Sequence, residues 1–192
     1  MEESQAIAQS QLGSTAAFNQ LVAVYQRLVY NAAYRILSDP DAAADATQEA
    51  FLSAFRAMRD FRGGSFKAWL LRIATNACYD QLRYKQRRPT ASLDALLLED
   101  EEPASMPGTL EGPEEYVLRR ELSAQVQRGL MTLPVEQRTV LILSDVQGFT
   151  YEEIATTTRA SLGTVKSRLS RAREHMRDYL QQRELSPSVQ RH

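Results

Sequence analysis

The groups that could carry chemistry in this chain are cations, hydroxyls and amides rather than nucleophiles. His175 and His192 are the only histidines and Cys78 the only cysteine, so a His-based triad, an internal disulfide and a His/Cys metal set all lack their parts. Gly63-Gly64 lacks the flanking pattern of a phosphate-binding loop. No cofactor, metal or enzymatic step is expected. The densest grouping lies in Thr150–Arg173, where Thr164, Lys166, Ser167, Arg168, Ser170, Arg171 and Arg173 fall within three helical turns. Their chemistry is non-covalent: cations meet phosphates, and Lys, Arg and Ser meet base edges.

Those side chains need a helix with one buried stripe. Val165, Leu169, Ala172 and Met176 recur at helical spacing and are expected to face inward. Ahead of them, Thr150 with Glu153 makes a capping box, and Ile154 and Ala155 give a first helix its apolar face. Thr157 to Ala160 form the break, and Ser161 is a second N-cap. Two capped helices across a tight turn, the second basic, suit the major groove of DNA. A solvated Arg-rich surface helix would carry the same charges.

A second grouping follows the loop Phe61-Arg62-Gly63-Gly64-Ser65. The helix behind it is expected to bury Phe66, Trp69, Leu70, Ile73, Ala77 and Cys78. Its other side offers Lys67, Arg72, Asn76, Tyr79, Asp80, Arg83 and Tyr84, then Lys85, Arg87 and Arg88. Cations interleaved with aromatic rings and an amide suit single-stranded nucleic acid, where rings stack on unpaired bases at roughly 1–3 kcal/mol each. Partly buried tyrosines among solubilising charges are the plainer reading. A third face lies on the helix Asp41–Met58: Asp45, Gln48, Glu49 and Leu52 share one side, and Phe51, Phe55 and Met58 are expected in the core. Acidic groups around an outward leucine suit docking, and equally a solvated face with a stray leucine.

The remainder is helical in pattern. Glu3–Leu12 reads as a short, weak helix before Gly13-Ser14, and Phe18 to Ile36 as a strongly amphipathic one that stops at Ser38-Asp39-Pro40. Val117, Leu118, Leu122, Val126 and Leu130 lead to Leu133, after which Pro134 opens a helix bearing Val140, Leu141 and Leu143, closed by Gly148. The net charge of -1 conceals a layout. Residues 1–89 hold 11 Lys/Arg against 8 Asp/Glu, residues 90–115 none against 8, and residues 116–192 hold 12 against 8. We therefore expect an all-α chain of two small helical domains, 1–89 and 114–183. A flexible acidic linker, 90–113, with one short helix near Leu93–Leu98 would join them, and a frayed tail, 184–192, would follow. As a coil the linker would span on the order of 30 Å. With no charged-then-apolar leader and no bilayer-length apolar run, a soluble cytoplasmic protein is expected.

Taken together, the chain resembles an extracytoplasmic-function (group IV) bacterial sigma factor from about Phe18 to Leu180, apart from the linker. Asp41–Leu52 resembles the family's polymerase-clamp helix, Phe66–Asp80 its promoter-melting segment, and Gly163–Arg173 its minus-thirty-five reader. The resemblance implies a protein that binds core RNA polymerase, through the β′ clamp helices and the β flap, and directs promoter-specific initiation. Asp45, Gln48, Glu49 and Leu52 would dock on the clamp. Arg62, Lys67, Asn76, Tyr79, Asp80, Arg83, Arg87 and Arg88 would meet the melted minus-ten strand, with a flipped base held between Phe61 and Asp80. Lys166, Ser167, Ser170 and Arg171 would approach minus-thirty-five base edges, with Arg168 and Arg173 nearer the phosphates and Arg159 and Thr164 beside them. An anti-sigma factor is implied as a further partner, and the acidic linker would thread channels that normally carry nucleic acid. The sequence departs from the family pattern at Arg159-Ala160-Ser161-Leu162, where a glycine and a nearby proline are common. Two rivals remain at this point: a helix-turn-helix regulator that binds operators alone, with residues 1–89 sensing or dimerising, and an adaptor that binds no nucleic acid.

Overall fold

The computed structural model describes residues 2–87 and 113–184, and every regular element among them is helical. The chain divides into two compact units, Met1–Ser105 and Met106–His192. The expected linker and its short helix lie outside the described residues, apart from Pro113, as does the tail beyond Glu184.

The first unit contains α1 (Glu3–Gln11), α2 (Thr15–Leu37), α3 (Pro40–Arg56), a 3-10 turn (Met58–Asp60) and α4 (Phe66–Arg87). Local chemistry sets the boundaries. Ser14 caps α2 by accepting from Ala17 N, and α2 ends where Ser38 turns left-handed at φ +52°. Asp39 then caps α3 through Ala42 N, with Pro40 in the first turn where its missing N–H costs nothing. The face α3 turns inward is lined with alanine: Ala42, Ala43, Ala46, Ala50 and Ala54 beside Phe51. Short side chains allow close approach, and α3 packs against both α2 and α4.

Expected core assignments on two helices are corrected here. Phe55 is 37% exposed, leaning on Phe18 with ring centroids 5.0 Å apart, because the alanine stripe rather than the Phe51–Phe55 line meets the neighbouring helices. On α4 the buried stripe runs Phe66, Leu70, Leu71, Ala74, Thr75 and Cys78, so Trp69, Ile73 and Ala77 sit at its half-buried margin. Helix α1, weakly amphipathic in sequence, is held by buried Ala6 and Ser10 and by Tyr25 OH donating to Glu3 at 2.6 Å.

The second unit contains α5 (Pro113–Met131), α6 (Val135–Leu141) running into a π-helical turn (Ile142–Val146), α7 (Tyr151–Thr158) and α8 (Leu162–Glu184). Its core gathers Val140, Ile142, Leu143, Ile154, Val165 and Leu169. Gly129 lets α5 approach α8, since a Cβ there would lie 2.8 Å from Tyr179 Cδ1 and 2.9 Å from Met176 Cε. The apolar run of α5 is not the core face its period suggests. Val117, Leu118 and Leu122 are 53%, 67% and 56% exposed, and only from Leu130 onward does the run enter the core. Arg138 is buried with Nη1 directed at Met131 Sδ at 2.5 Å, and burial lowers its pKa.

Candidate nucleic-acid interface

The helix-turn-helix is built as its caps dictate. Thr150 Oγ1 accepts from Glu153 N at 3.2 Å while Glu153 Oε2 accepts from Thr150 N at 2.9 Å. Gly148, at φ +73°, supplies the left-handed step that lets the chain leave the π turn and enter α7. Helix α7 ends at Arg159, which takes φ +53° and donates its N–H to Ala155 O. The glycine expected at that point is replaced by a strained arginine, at about 1 kcal/mol. Ser161 then caps α8 through Thr164 N at 3.1 Å.

On α8 the buried stripe is Val165, Leu169, Ala172 and Met176, as the spacing requires. Lys166, Ser167, Ser170 and Arg171 are exposed on the first turns, Arg168 is half-buried, and Arg159 is exposed at the turn. The Thr164 hydroxyl lies 2.8 Å from Ser161 Oγ, and Ser167 Oγ donates to Thr164 O. Arg173 is placed differently from its expected phosphate role. Its Nε and Nη2 fork onto Asp145 at 3.0 and 2.6 Å, and Nη2 reaches Ser144 Oγ at 3.3 Å. That fork holds the Asp145 carboxyl below the usual carboxylate range and raises the pKa of Arg173. Sequence alone could not pair residues 28 apart in chain order.

In the first unit the outer face of α4 brings together Arg72, Asn76, Tyr79, Asp80 and Arg83, with half-buried Trp69 one turn before them. Arg83 is bonded to Asp80 at 2.5 Å, so this face mixes a neutralised pair with open cations. Lys67, nine residues and two and a half turns ahead of Asn76, lies on the opposite side of the helix and is not brought to this face. Arg87 closes α4 and Arg88 follows it. Neither side chain lies within the described residues. Arg62 is exposed in the glycine loop, whose Gly63 and Gly64 take φ +90° and +83°. Phe61, Phe66 and Trp69 form a ring cluster behind that loop, with centroids 5.2–5.7 Å apart. Trp69, expected in the core from the apolar period, is half-buried beside this face instead.

On α3, Asp45, Gln48 and Glu49 are exposed and Leu52 is 44% exposed, all on one face, with Phe55 continuing the line. Glu49 accepts from Ser53 Oγ at 3.0 Å and lies 4.0 Å from Arg56. Cys78 is buried, and desolvation pushes its thiol pKa up to about 12, which leaves it without thiolate character. Among the described residues there is no group of His, Cys, Asp and Glu able to hold a metal ion, and no helix long and apolar enough to cross a membrane.

Comparison with known proteins gives each unit a family match. Residues 21–88 match sigma-70 region 2, and residues 123–176 match sigma-70 region 4. The two regions in this order define a sigma factor, the subunit that directs RNA polymerase to promoters and performs no covalent step of its own. The chain is 38% identical over 185 residues to the RNA polymerase sigma-H factor of Pseudomonas aeruginosa, covering 94% of each. It is 40% identical over 166 residues to the ECF RNA polymerase sigma-E factor of Escherichia coli, covering 85% of this chain and 86% of that one. Among solved structures, the sigma factor RpoE bound to the anti-sigma factor NepR from Bartonella quintana matches with a TM-score of 0.66 at 28% identity, covering 85% of this chain and 96% of that one. CnrH in complex with the cytosolic domain of CnrY matches with a TM-score of 0.64 at 26% identity, covering 92% and 95%. The chain belongs to the extracytoplasmic-function RNA polymerase sigma factors.

Proposed function

We propose that the three exposed faces divide the work of initiation. Asp45, Gln48, Glu49 and Leu52 on α3 dock on the clamp helices of the polymerase β′ subunit, and the second unit also meets the β flap. The outer face of α4, with Arg62 and the glycine loop, holds the opened minus-ten strand: Asn76 and Tyr79 meet unpaired bases, and Arg72, Arg83, Arg87 and Arg88 follow phosphates. On α8, Lys166, Ser167, Ser170 and Arg171 enter the minus-thirty-five major groove, flanked by Arg159 and Arg168. Residues 1–89 and 114–183 are the two working domains, and 90–113 tethers them. An anti-sigma factor holds the chain inactive, as the solved structures of RpoE with NepR and CnrH with CnrY suggest by likeness.

The observation that carries this reading is the α8 surface, where cations and hydroxyls project from a helix whose opposite stripe is wholly buried. Each reader alone is weak, because the chain has a net charge of -1 and little bulk attraction for DNA. Mounting both on one polymerase raises the effective concentration of each at its element. Capture of unpaired bases then offsets the cost of unstacking. The test is promoter-specific initiation by reconstituted polymerase carrying Arg171→Ala or Asn76→Ala. The first is expected to lose minus-thirty-five dependence and the second to slow promoter opening. Unchanged initiation by both would reject the assignments.

A further inference from the structure

The glycine loop between Phe61 and Ser65 is anchored at both ends. Gly63 and Gly64 both take left-handed φ, and a Cβ on either would meet nothing within 4 Å, so neither glycine is packed on that side. Glycine also loses more conformational freedom on ordering than any other residue. The far end is secured by Ser65, whose Oγ accepts from Ala68 N at 3.2 Å as α4 begins. The near end is secured twice: the buried Phe61 ring packs on Phe66 and Trp69, and the Phe61 carbonyl accepts from Gln11 Nε2 at 2.7 Å. Gln11 is the last residue of α1, fifty positions earlier, and α1 also packs on the Met58–Asp60 turn that feeds the loop. Helix α1 lies wholly ahead of residue 21, where the region 2 match begins.

We infer that Gln11 is a positioning residue for promoter opening, its side-chain amide fixing the near end of the loop that presents Arg62 and leads into α4. The inference rests on the reading of the loop and α4 face as the minus-ten site. Helix α1 is then a strap rather than an appendage. Ser10 and Ala6 seat it, the Tyr25–Glu3 bond holds its start, and Gln11 delivers one donor to a carbonyl that receives no other side-chain donor among the described residues. With that donor removed, the loop samples conformations in which its backbone no longer matches the displaced strand. Single-strand capture then weakens while the core of the unit is unchanged.

The test uses the full chain assembled with core polymerase, on a promoter located by mapping transcript starts after overexpression. Gln11→Leu removes the donor at similar volume, Gln11→Lys keeps one, and Asn76→Ala perturbs the α4 face itself. Gln11→Leu is expected to lower affinity for a single-stranded minus-ten oligonucleotide, and the opening rate, by about fivefold, the worth of one neutral hydrogen bond. Polymerase binding should stay at the wild-type value, the melting temperature should fall by no more than about 8 °C, the cost of one hydrogen bond, and Gln11→Lys should recover most of the loss. Wild-type opening by Gln11→Leu overturns the inference, as does a parallel loss of opening, polymerase binding and melting temperature. If Asn76→Ala impairs opening while Gln11→Leu does not, the inference alone fails. If neither does, the reading of the minus-ten face fails with it.

Discussion

Asp145→Ala removes a negative charge from beside α8, the helix proposed to enter the major groove, and bulk electrostatics would expect only tighter DNA binding. The geometry predicts a loss of stability instead. Asp145 receives both arms of the Arg173 fork, at 3.0 and 2.6 Å, with Ser144 adding a contact at 3.3 Å. The Arg173 and Asp145 side chains are 48% and 37% exposed, so water screens the attraction and a buried-pair magnitude does not apply. Exposed pairs contribute 0.2–1 kcal/mol, and a bidentate fork belongs at the top of that range, at about 1 kcal/mol. The assay is a double-mutant cycle of Asp145→Ala and Arg173→Ala, read as the opening free energy of the Val165 and Leu169 amides by hydrogen exchange. The sign with pH follows from the depressed Asp145 pKa. The contribution is complete above the unfolded-state pKa of about 4 and disappears as pH falls through the lower folded-state value. Because its fork is already engaged, Arg173→Ala should leave the salt slope of DNA binding unchanged, whereas an arginine on a phosphate would take about 1 from it. A coupling energy of zero would show that the fork adds no stability, and a slope reduced by about 1 would place Arg173 on a phosphate.

Other outcomes follow from single features of the structure. Arg159→Gly relieves a left-handed arginine and should raise the stability of the second unit by about 0.5–1 kcal/mol, seen in thermal melts, while weakening non-specific DNA binding through loss of a cation. Thr150→Ala breaks the capping box and should cost about 1 kcal/mol by denaturant titration. Leu52→Ala should leave the melting temperature unchanged, since the side chain is exposed, yet reduce competition for core polymerase. Cys78 should resist alkylating reagents until the first unit unfolds, because burial denies it a thiolate at neutral pH.

What could be read from sequence was what chain neighbours decide. The Thr150–Glu153 box, the Ser161 cap, the stop at Ser38-Asp39-Pro40 and the Val165–Met176 stripe each depend on residues within a few turns, and each stands where its spacing puts it. Interactions between distant residues were beyond that reach. Gln11 to Phe61 and Arg173 to Asp145 join residues 50 and 28 apart, and no local period marks them. Periodicity also misled where it was correct but incomplete. Leu118 and Leu122 share a helix face that no described element covers, and on α4 a shift of the buried arc moved Trp69 from the core to its margin. Sequence periodicity identifies a helix face; which neighbour covers it is a tertiary fact.

If neither reader suffices until both are mounted on polymerase, footprinting on a mapped promoter at fixed salt will show it. No promoter-specific protection is expected from the purified chain alone, and protection of both elements with opening of the minus-ten region is expected once core polymerase is added. Tight, sequence-specific protection of duplex DNA by the chain without polymerase would contradict that expectation.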